Sequence, residues 1–199
     1  MKVTKTKWNK IWTQELSKPG LFILNNAEAI AVKMIKEVLS LNSKIIDVGC
    51  GTGRTLSLIS KSFPNAIGID YSKTSIRKCK NMGLKVLEMD ARNILFPDKQ
   101  FDLVFEEGLL EHYNNMSQVV KEMCRVSKGY VLAVQPKATR FIIFLKNLYW
   151  RTFKRKYADE IPYTLEDYCN EFKKFGFELI KEKSDAFNFL YILLFKRIG

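Results

Sequence analysis

Along the 199 residues, short apolar runs bounded by glycine or acidic residues alternate with stretches whose apolar positions recur at helical spacing. Lys44 to Val48, Ala66 to Asp70, Leu84 to Met89, Phe101 to Phe105 and Gly129 to Val134 read as strands. A helix is expected from Asn25 or Asn26, as cap, to about Ser40, with an apolar stripe that includes Ile30, Met34, Ile35 and Val38 and lies against the sheet. Others start at Thr55, at Ser72 with Gly83 as stop, and at Ser117 running to Val126. Thr164 caps a further helix to Phe175, stopped by Gly176, and the strands Phe177 to Lys183 and Ala186 to Arg197 close the chain around a hairpin turn at Ser184-Asp185. Trp8 and Trp12 stand four apart on one face of a short opening helix, where they either pack onto the core edge or form a flap over a bound ligand.

The first strand runs into Asp47-Val48-Gly49-Cys50-Gly51-Thr52-Gly53-Arg54, and a helix follows. Three glycines at alternate positions let the main chain take dihedrals closed to a Cβ and let a ligand approach it, so this turn is a cofactor seat. A dinucleotide fingerprint would need its third glycine at position 54, where arginine stands. Asp47, two residues before Gly49, would repel a diphosphate but attract the ammonium and sulfonium of S-adenosylmethionine (SAM). The spacing D-x-G-x-G-x-G therefore favours SAM over NAD.

Acids recur where the next strands end. Asp70 closes the second strand, 17 positions after Gly53, at the place for a carboxylate that accepts from two ribose hydroxyls. Tyr71 comes next and is grouped with the cofactor-binding residues. Asp90 and Ala91 close the third strand, where a carboxylate is placed to accept from an adenine amino group. The fourth strand delivers Glu106 and Glu107, which either attract the cofactor's cationic end or are solvated, and then His112. In a parallel sheet, ligands sit beyond the carboxyl ends of the strands, so this rim faces the reacting centre. His112 is the single histidine, a candidate general base or substrate contact, or else a side chain that fixes the start of the following helix.

Composition narrows the setting. The chain is read as one domain, with residues 1–43 as N-terminal cap helices, 44–136 as the SAM-binding half, 137–163 as a basic amphipathic cover and 164–199 as the C-terminal helix and hairpin. Four cysteines without C-x-x-C spacing and one histidine indicate neither a disulfide framework nor a zinc cage, so no metal is expected and a reduced, cytoplasmic location is. The lysine-rich start leaves no room for a signal-peptide core, and the longest wholly apolar run, Phe189 to Phe195, is too short to span a bilayer. Of the net charge of +12, nearly all comes from residues 1–18 and 137–156, which hold 12 Lys/Arg against one acid. Such segments are solvated faces or contacts for an anionic substrate, a nucleic acid or a membrane surface.

Together these pieces resemble the class I SAM-dependent methyltransferases of the small type-11 kind. The resemblance rests on Asp47-Val48-Gly49-Cys50-Gly51-Thr52-Gly53, Gly68-Ile69-Asp70, Met89-Asp90-Ala91, Phe101 to Phe105 with Leu110-Glu111-His112, and Tyr163-Thr164-Leu165 before a helix ending Phe175-Gly176-Phe177. It implies an α/β, Rossmann-like, seven-stranded sheet of order 3-2-1-4-5-7-6, strand 7 antiparallel, with helices on both faces. It also implies that Gly49, Gly51 and Gly53 contact the methionine part, Asp70 the ribose, Asp90 and Ala91 the adenine, and Glu106 the far end of the methionine.

The acceptor is less legible. Glu106-Glu107-Gly108 stands where a D-P-P-Y-like signature of base-amino methyltransferases would belong, which argues against adenine-N6 or cytosine-N4 chemistry. The leading expectation is a small-molecule acceptor of anionic or amphipathic character, selected by a cover made of residues 137–156 and the Trp8–Trp12 segment. An RNA or protein acceptor, or SAM binding without catalysis, are the alternatives.

Overall fold

The computed structural model describes residues 4–13, 18–137 and 160–199. Seven strands, β1 (Ile45–Val48), β2 (Ile67–Asp70), β3 (Val86–Glu88), β4 (Phe101–Glu107), β5 (Ser127–Pro136), β6 (Phe177–Ser184) and β7 (Leu190–Arg197), form one sheet of order β3-β2-β1-β4-β5-β7-β6. The first five pair in parallel, and β7 runs antiparallel to both β5 and β6. That is the expected Rossmann-like topology.

Period-two alternation along the central strands divides the core between two layers. Ile45, Leu103, Phe105, Leu132, Val134, Ile192 and Leu194 face one side, where α2 (Lys18–Val38) lays down Ala27, Ala31, Met34 and Ile35 and α3 (Arg54–Ser60) adds Leu56 and Ile59. Ile46, Val48, Val104, Val131, Ala133, Leu193 and Phe195 face the other side, against α5 (Ser117–Val126) and α6 (Leu165–Lys173) through Val119, Val120, Met123, Tyr168 and Phe172. Both faces of the sheet are covered, so the strands read as continuous apolar runs.

Caps fix several boundaries as expected. Ser72 accepts from the backbone of Ser75 at the start of α4 (Lys73–Asn81), and Gly83 follows this helix with positive φ. Thr164 and Asp167 form a reciprocal capping box at α6.

Three expectations are corrected. The helix expected from Asn25 or Asn26 begins at Lys18, and Asn26 lies within it, with its side-chain oxygen accepting the backbone N–H of Ala186. A cap-type residue was available, but a tertiary partner uses it. The closing turn is a five-residue loop, 185–189, because the carboxylate of Asp185 accepts the N–H groups of Phe187, Phe189 and Leu190. Finally, β4 runs two residues further than its apolar run, so that Glu106 and Glu107 are strand residues pointing to opposite faces.

Candidate active site

At the carboxyl ends of β1, β2 and β4 the chain builds a turn with acids around it. Gly49, Gly51 and Gly53 all have positive φ, and Gly53 precedes the first residue of α3. The turn is tied from below and from the side. Ile69 O accepts from Gly49 N and Cys50 N, and Asp70 Oδ2 accepts from Gly51 N at 2.9 Å. Cys79 of α4 donates its thiol to Gly51 O at 3.3 Å. Asp70 Oδ1 accepts from Ser72 N at 2.7 Å, so this buried carboxylate fixes both the glycine turn and the start of α4. Burial raises its pKa, and these N–H donors pull in the opposite direction.

Asp47 and Glu107 lie on the same sheet face, with Glu28 of α2 beside them. Asp47 is 2% exposed, and among the described residues no group donates a hydrogen bond to its carboxyl. Burial, then the nearby charge of Glu107, push its pKa well above the ordinary carboxylate range. Thr55 Oγ1 stands 2.9 Å from Glu28 Oε1 and 2.6 Å from Glu107 Oε2. One hydroxyl proton faces two acceptors, so this pair of carboxyls is short of donors. Burial and the Glu28 charge raise Glu107 to about 7, and burial raises Glu28 as well. Arg54 is the cation of this group: its guanidinium bonds Glu28 and stands 3.9 Å from Glu107. Glu107 Oε1 is buried without a hydrogen-bond partner. One guanidinium thus faces two of the three raised carboxyls, Glu28 and Glu107.

On the opposite face, Gln135 Nε2 donates to Glu106 Oε1 at 2.8 Å and Oε2 at 2.7 Å, and Tyr168 donates its hydroxyl to Gln135 Oε1 at 3.0 Å. All three residues are buried. Burial and the charge of Glu111 hold Glu106 protonated well above the usual range.

The other expected site residues fall around this edge. Ala91 is buried, while the carboxylate of Asp90 is forked by Arg92, whose Nε and Nη2 donate to it along with the Arg92 backbone N–H. Burial alone would raise Asp90, but the guanidinium outweighs it and the pKa is lowered. Tyr71 has the ammonium of Lys5 over its ring, 4.9 Å from the centroid. His112 is buried in a short 3-10 turn, Leu110–His112.

The helix α1 (Lys5–Ile11) lies across this edge. Asn9 Oδ1 accepts from Ser72 Oγ at 2.7 Å, the Trp8 ring meets His112 edge-on at 4.8 Å, and Trp8 and Trp12 stack 5.9 Å apart. A Cβ added to Gly51 would fall 2.8 Å from the Trp12 ring. The tryptophans therefore pack over the glycine turn and the histidine. Residues 138–159 of the expected cover lie outside the described residues.

Sequence reasoning missed Glu28 and Thr55 and left Glu107 undecided. A glutamate on the inner stripe of α2 was the available signal, since a buried charge needs a partner.

Residues 46–133 match the family described as methyltransferase domain. This stretch of the chain matches a methyltransferase domain, and the sheet around it has the class I, Rossmann-like methyltransferase topology. The chain is 32% identical over 108 residues to the probable tRNA methyltransferase 9B of Homo sapiens, covering 50% of this chain and 23% of that protein. It is 27% identical over 157 residues to the chloroplastic 2-methyl-6-phytyl-1,4-hydroquinone methyltransferase 2 of Oryza sativa subsp. japonica, covering 74% and 42%. The chain thus spans less than half the length of either relative. Among solved structures, the magnesium protoporphyrin IX methyltransferase from Synechocystis PCC 6803 with bound SAH superposes with a TM-score of 0.77 at 14% identity, over 96% of this chain and 93% of that one. The fold is shared at that level. No described helix is long and apolar enough to cross a membrane.

Proposed function

We propose that this chain transfers the methyl group of SAM to a small-molecule acceptor. The observation that carries the reading is the unbalanced acid group at the glycine turn. Asp47, Glu107 and Glu28 are all raised by burial, Asp47 also by Glu107 and Glu28 and Glu107 by Glu28, while Arg54 is the cation that bonds Glu28 and stands near Glu107. A ligand bearing an ammonium and a sulfonium supplies the missing charge, whereas a diphosphate would add to the imbalance. SAM supplies an electrophilic methyl group on a positively charged sulfur.

The chain's own residues then bind, orient and exclude water. The glycine turn, held by Asp70 through Gly51 N, offers close main-chain approach, and Asp70 keeps lone pairs beyond its two backbone donors for ribose hydroxyls. Asp47 and Glu107 attract the cationic end. Glu106, neutral and clamped by Gln135, serves at the opposite face as a fixed polar wall. Asp90, already bonded by Arg92, is assigned the adenine edge together with Ala91, and Tyr71 the region beside the ribose. Trp8 and Trp12 shield the turn from water. His112, beneath Trp8, is the candidate to take a proton where the acceptor atom carries one. Free thiols at Cys50, Cys79, Cys124 and Cys169 fit a reducing, cytoplasmic setting.

A second reading, an RNA acceptor, is favoured by the net charge of +12 and by the tRNA methyltransferases among the relatives. The test is release of demethylated SAM by the purified chain with hydroxylated aromatics, fatty acids and amines in one series and bulk tRNA in another, each at low and high salt. Turnover with a small acceptor at both salt concentrations is expected. Turnover with tRNA alone, falling steeply with salt, would replace the proposal by the second reading.

A further inference from the structure

Lys137 is the first residue beyond β5, and it is 9% exposed. Its ammonium donates to Ser184 Oγ at 2.7 Å and Asn188 Oδ1 at 2.5 Å, and it lies 4.7 Å from the centroid of the Tyr191 ring. Among the described residues no carboxylate stands within ion-pair distance of it. The nearest acid in sequence to its partners, Asp185, turns its oxygens to the N–H groups of Phe187, Phe189 and Leu190 instead. Neutral oxygens and a ring face replace only part of the hydration of a buried ammonium, so among the described residues the positive charge has no compensating acid.

The place of this charge matters. β5 runs parallel to β1 and β4, and β7 antiparallel, so the end of β5, the end of β6 and the start of β7 share the sheet edge that carries the glycine turn and His112. The loop that supplies Asn188 also carries an aromatic strip. Phe22 of α2 and Phe187 are exposed with ring centroids 5.7 Å apart, and Phe187 stacks on Phe189 at 6.2 Å. Asn188, between the two loop rings, is in the left-handed region at φ 59, a backbone that the Asp185 carboxylate holds through the flanking N–H groups.

Resting on the methyltransferase reading, we infer that Lys137, Ser184 and Asn188 form a head-group site for a small amphipathic carboxylate, whose apolar part lies along Phe22, Phe187 and Phe189. One uncompensated ammonium, framed by two neutral side chains, matches a single negative charge rather than a phosphate dianion. The carboxylate anchors the acceptor at the β5–β7 side of the edge, and the acceptor atom lies elsewhere on the molecule, toward the glycine turn.

The test is calorimetry on the full chain saturated with demethylated SAM, titrated with decanoate and with decanol as its uncharged counterpart. Wild type is expected to bind decanoate more tightly than decanol. Lys137→Gln, which keeps donors for Ser184 and Asn188 but removes the charge, is expected to weaken decanoate by about tenfold or more and to leave decanol unchanged. Phe187→Ala should weaken both. Equal affinity of wild type and Lys137→Gln for decanoate, or no preference of wild type for decanoate over decanol, would overturn the site and leave Lys137 as a tether of the loop. The preceding titration with demethylated SAM is a separate readout. Its failure in wild type contradicts the methyltransferase reading, and its success in both proteins confines any loss to the head-group site.

Discussion

Asp70 holds Gly51: its Oδ2 accepts the glycine's N–H at 2.9 Å, so the end of β2 sets the shape of the turn that follows β1. The same carboxylate, through Oδ1, starts α4 at Ser72. A residue expected only to bind ribose is therefore part of the scaffold as well.

Asp70→Ala should weaken demethylated SAM by about tenfold or more, since bonds to a charged acceptor are worth about 1.5–3 kcal/mol each. It should also lower the melting temperature, because Gly51 N and Ser72 N lose their acceptors. Calorimetric titration and a thermal melt of the same sample check both. A stable variant with unchanged affinity would remove Asp70 from the site.

Glu107 makes the ligand-free protein sensitive to pH near neutrality. Its folded pKa, about 7, lies above the ordinary value of 4.5. The folded state therefore holds the proton more strongly than the unfolded chain. That stabilisation is complete below the unfolded value and is lost as pH rises through about 7. Asp47 and Glu28 act in the same direction, and Arg54 opposes the shifts of Glu28 and Glu107. Melting temperatures of wild type should fall between pH 5 and pH 8, and Glu107→Gln should flatten the slope. An equally steep fall in the variant would assign the effect to the other carboxyls.

The buried Glu106–Gln135–Tyr168 chain predicts a graded loss of stability. Gln135→Leu leaves Glu106 without its two side-chain bonds from the carboxamide and Tyr168 without its acceptor, for a cost of about 1–3 kcal/mol or more. Tyr168→Phe removes one neutral bond and should cost about 1 kcal/mol. Urea unfolding ranks them, and a reversed order would contradict the network.

The tryptophan cover gives an optical signal. Trp12 touches Gly51 and Trp8 meets His112, so filling of the glycine turn should change the fluorescence of both rings. Trp12→Phe should remove much of that change and speed dissociation of demethylated SAM by about tenfold, as expected for loss of a large packed ring. Rapid-mixing fluorescence measures both. Identical dissociation rates would make α1 a core-edge helix only.

His112→Ala should leave the affinity for demethylated SAM within about twofold while lowering turnover by about a hundredfold where the acceptor atom carries a proton. Steady-state kinetics and calorimetry separate the two. Unchanged turnover would leave His112 as a packing partner of Trp8.

Much of this architecture was legible because it is local. The strand ends at Val48 and Asp70, the glycine turn, the Ser72 and Thr164 caps and the Ser117–Val126 helix follow from patterns spanning a few residues. What escaped is what depends on distant partners. Asn26 has the chemistry of a helix cap, yet bonds Ala186, 160 residues away. Ser184-Asp185 has the chemistry of a tight turn, yet Asp185 gathers three later N–H groups into a longer loop. Glu106 and Glu107 are adjacent in sequence, but the pleat sends one to Gln135 and the other to Thr55. Their separate tasks are set by the neighbouring strand and helices.

The central claim is that a glycine turn ringed by Asp47, Glu107 and Asp70 seats a cationic cofactor rather than a diphosphate. Calorimetric titration of the purified chain with SAM and, separately, with NAD tests it most directly. SAM is expected to bind with one-to-one stoichiometry while NAD gives no saturable heat; NAD binding as tightly as SAM, or more tightly, would contradict it.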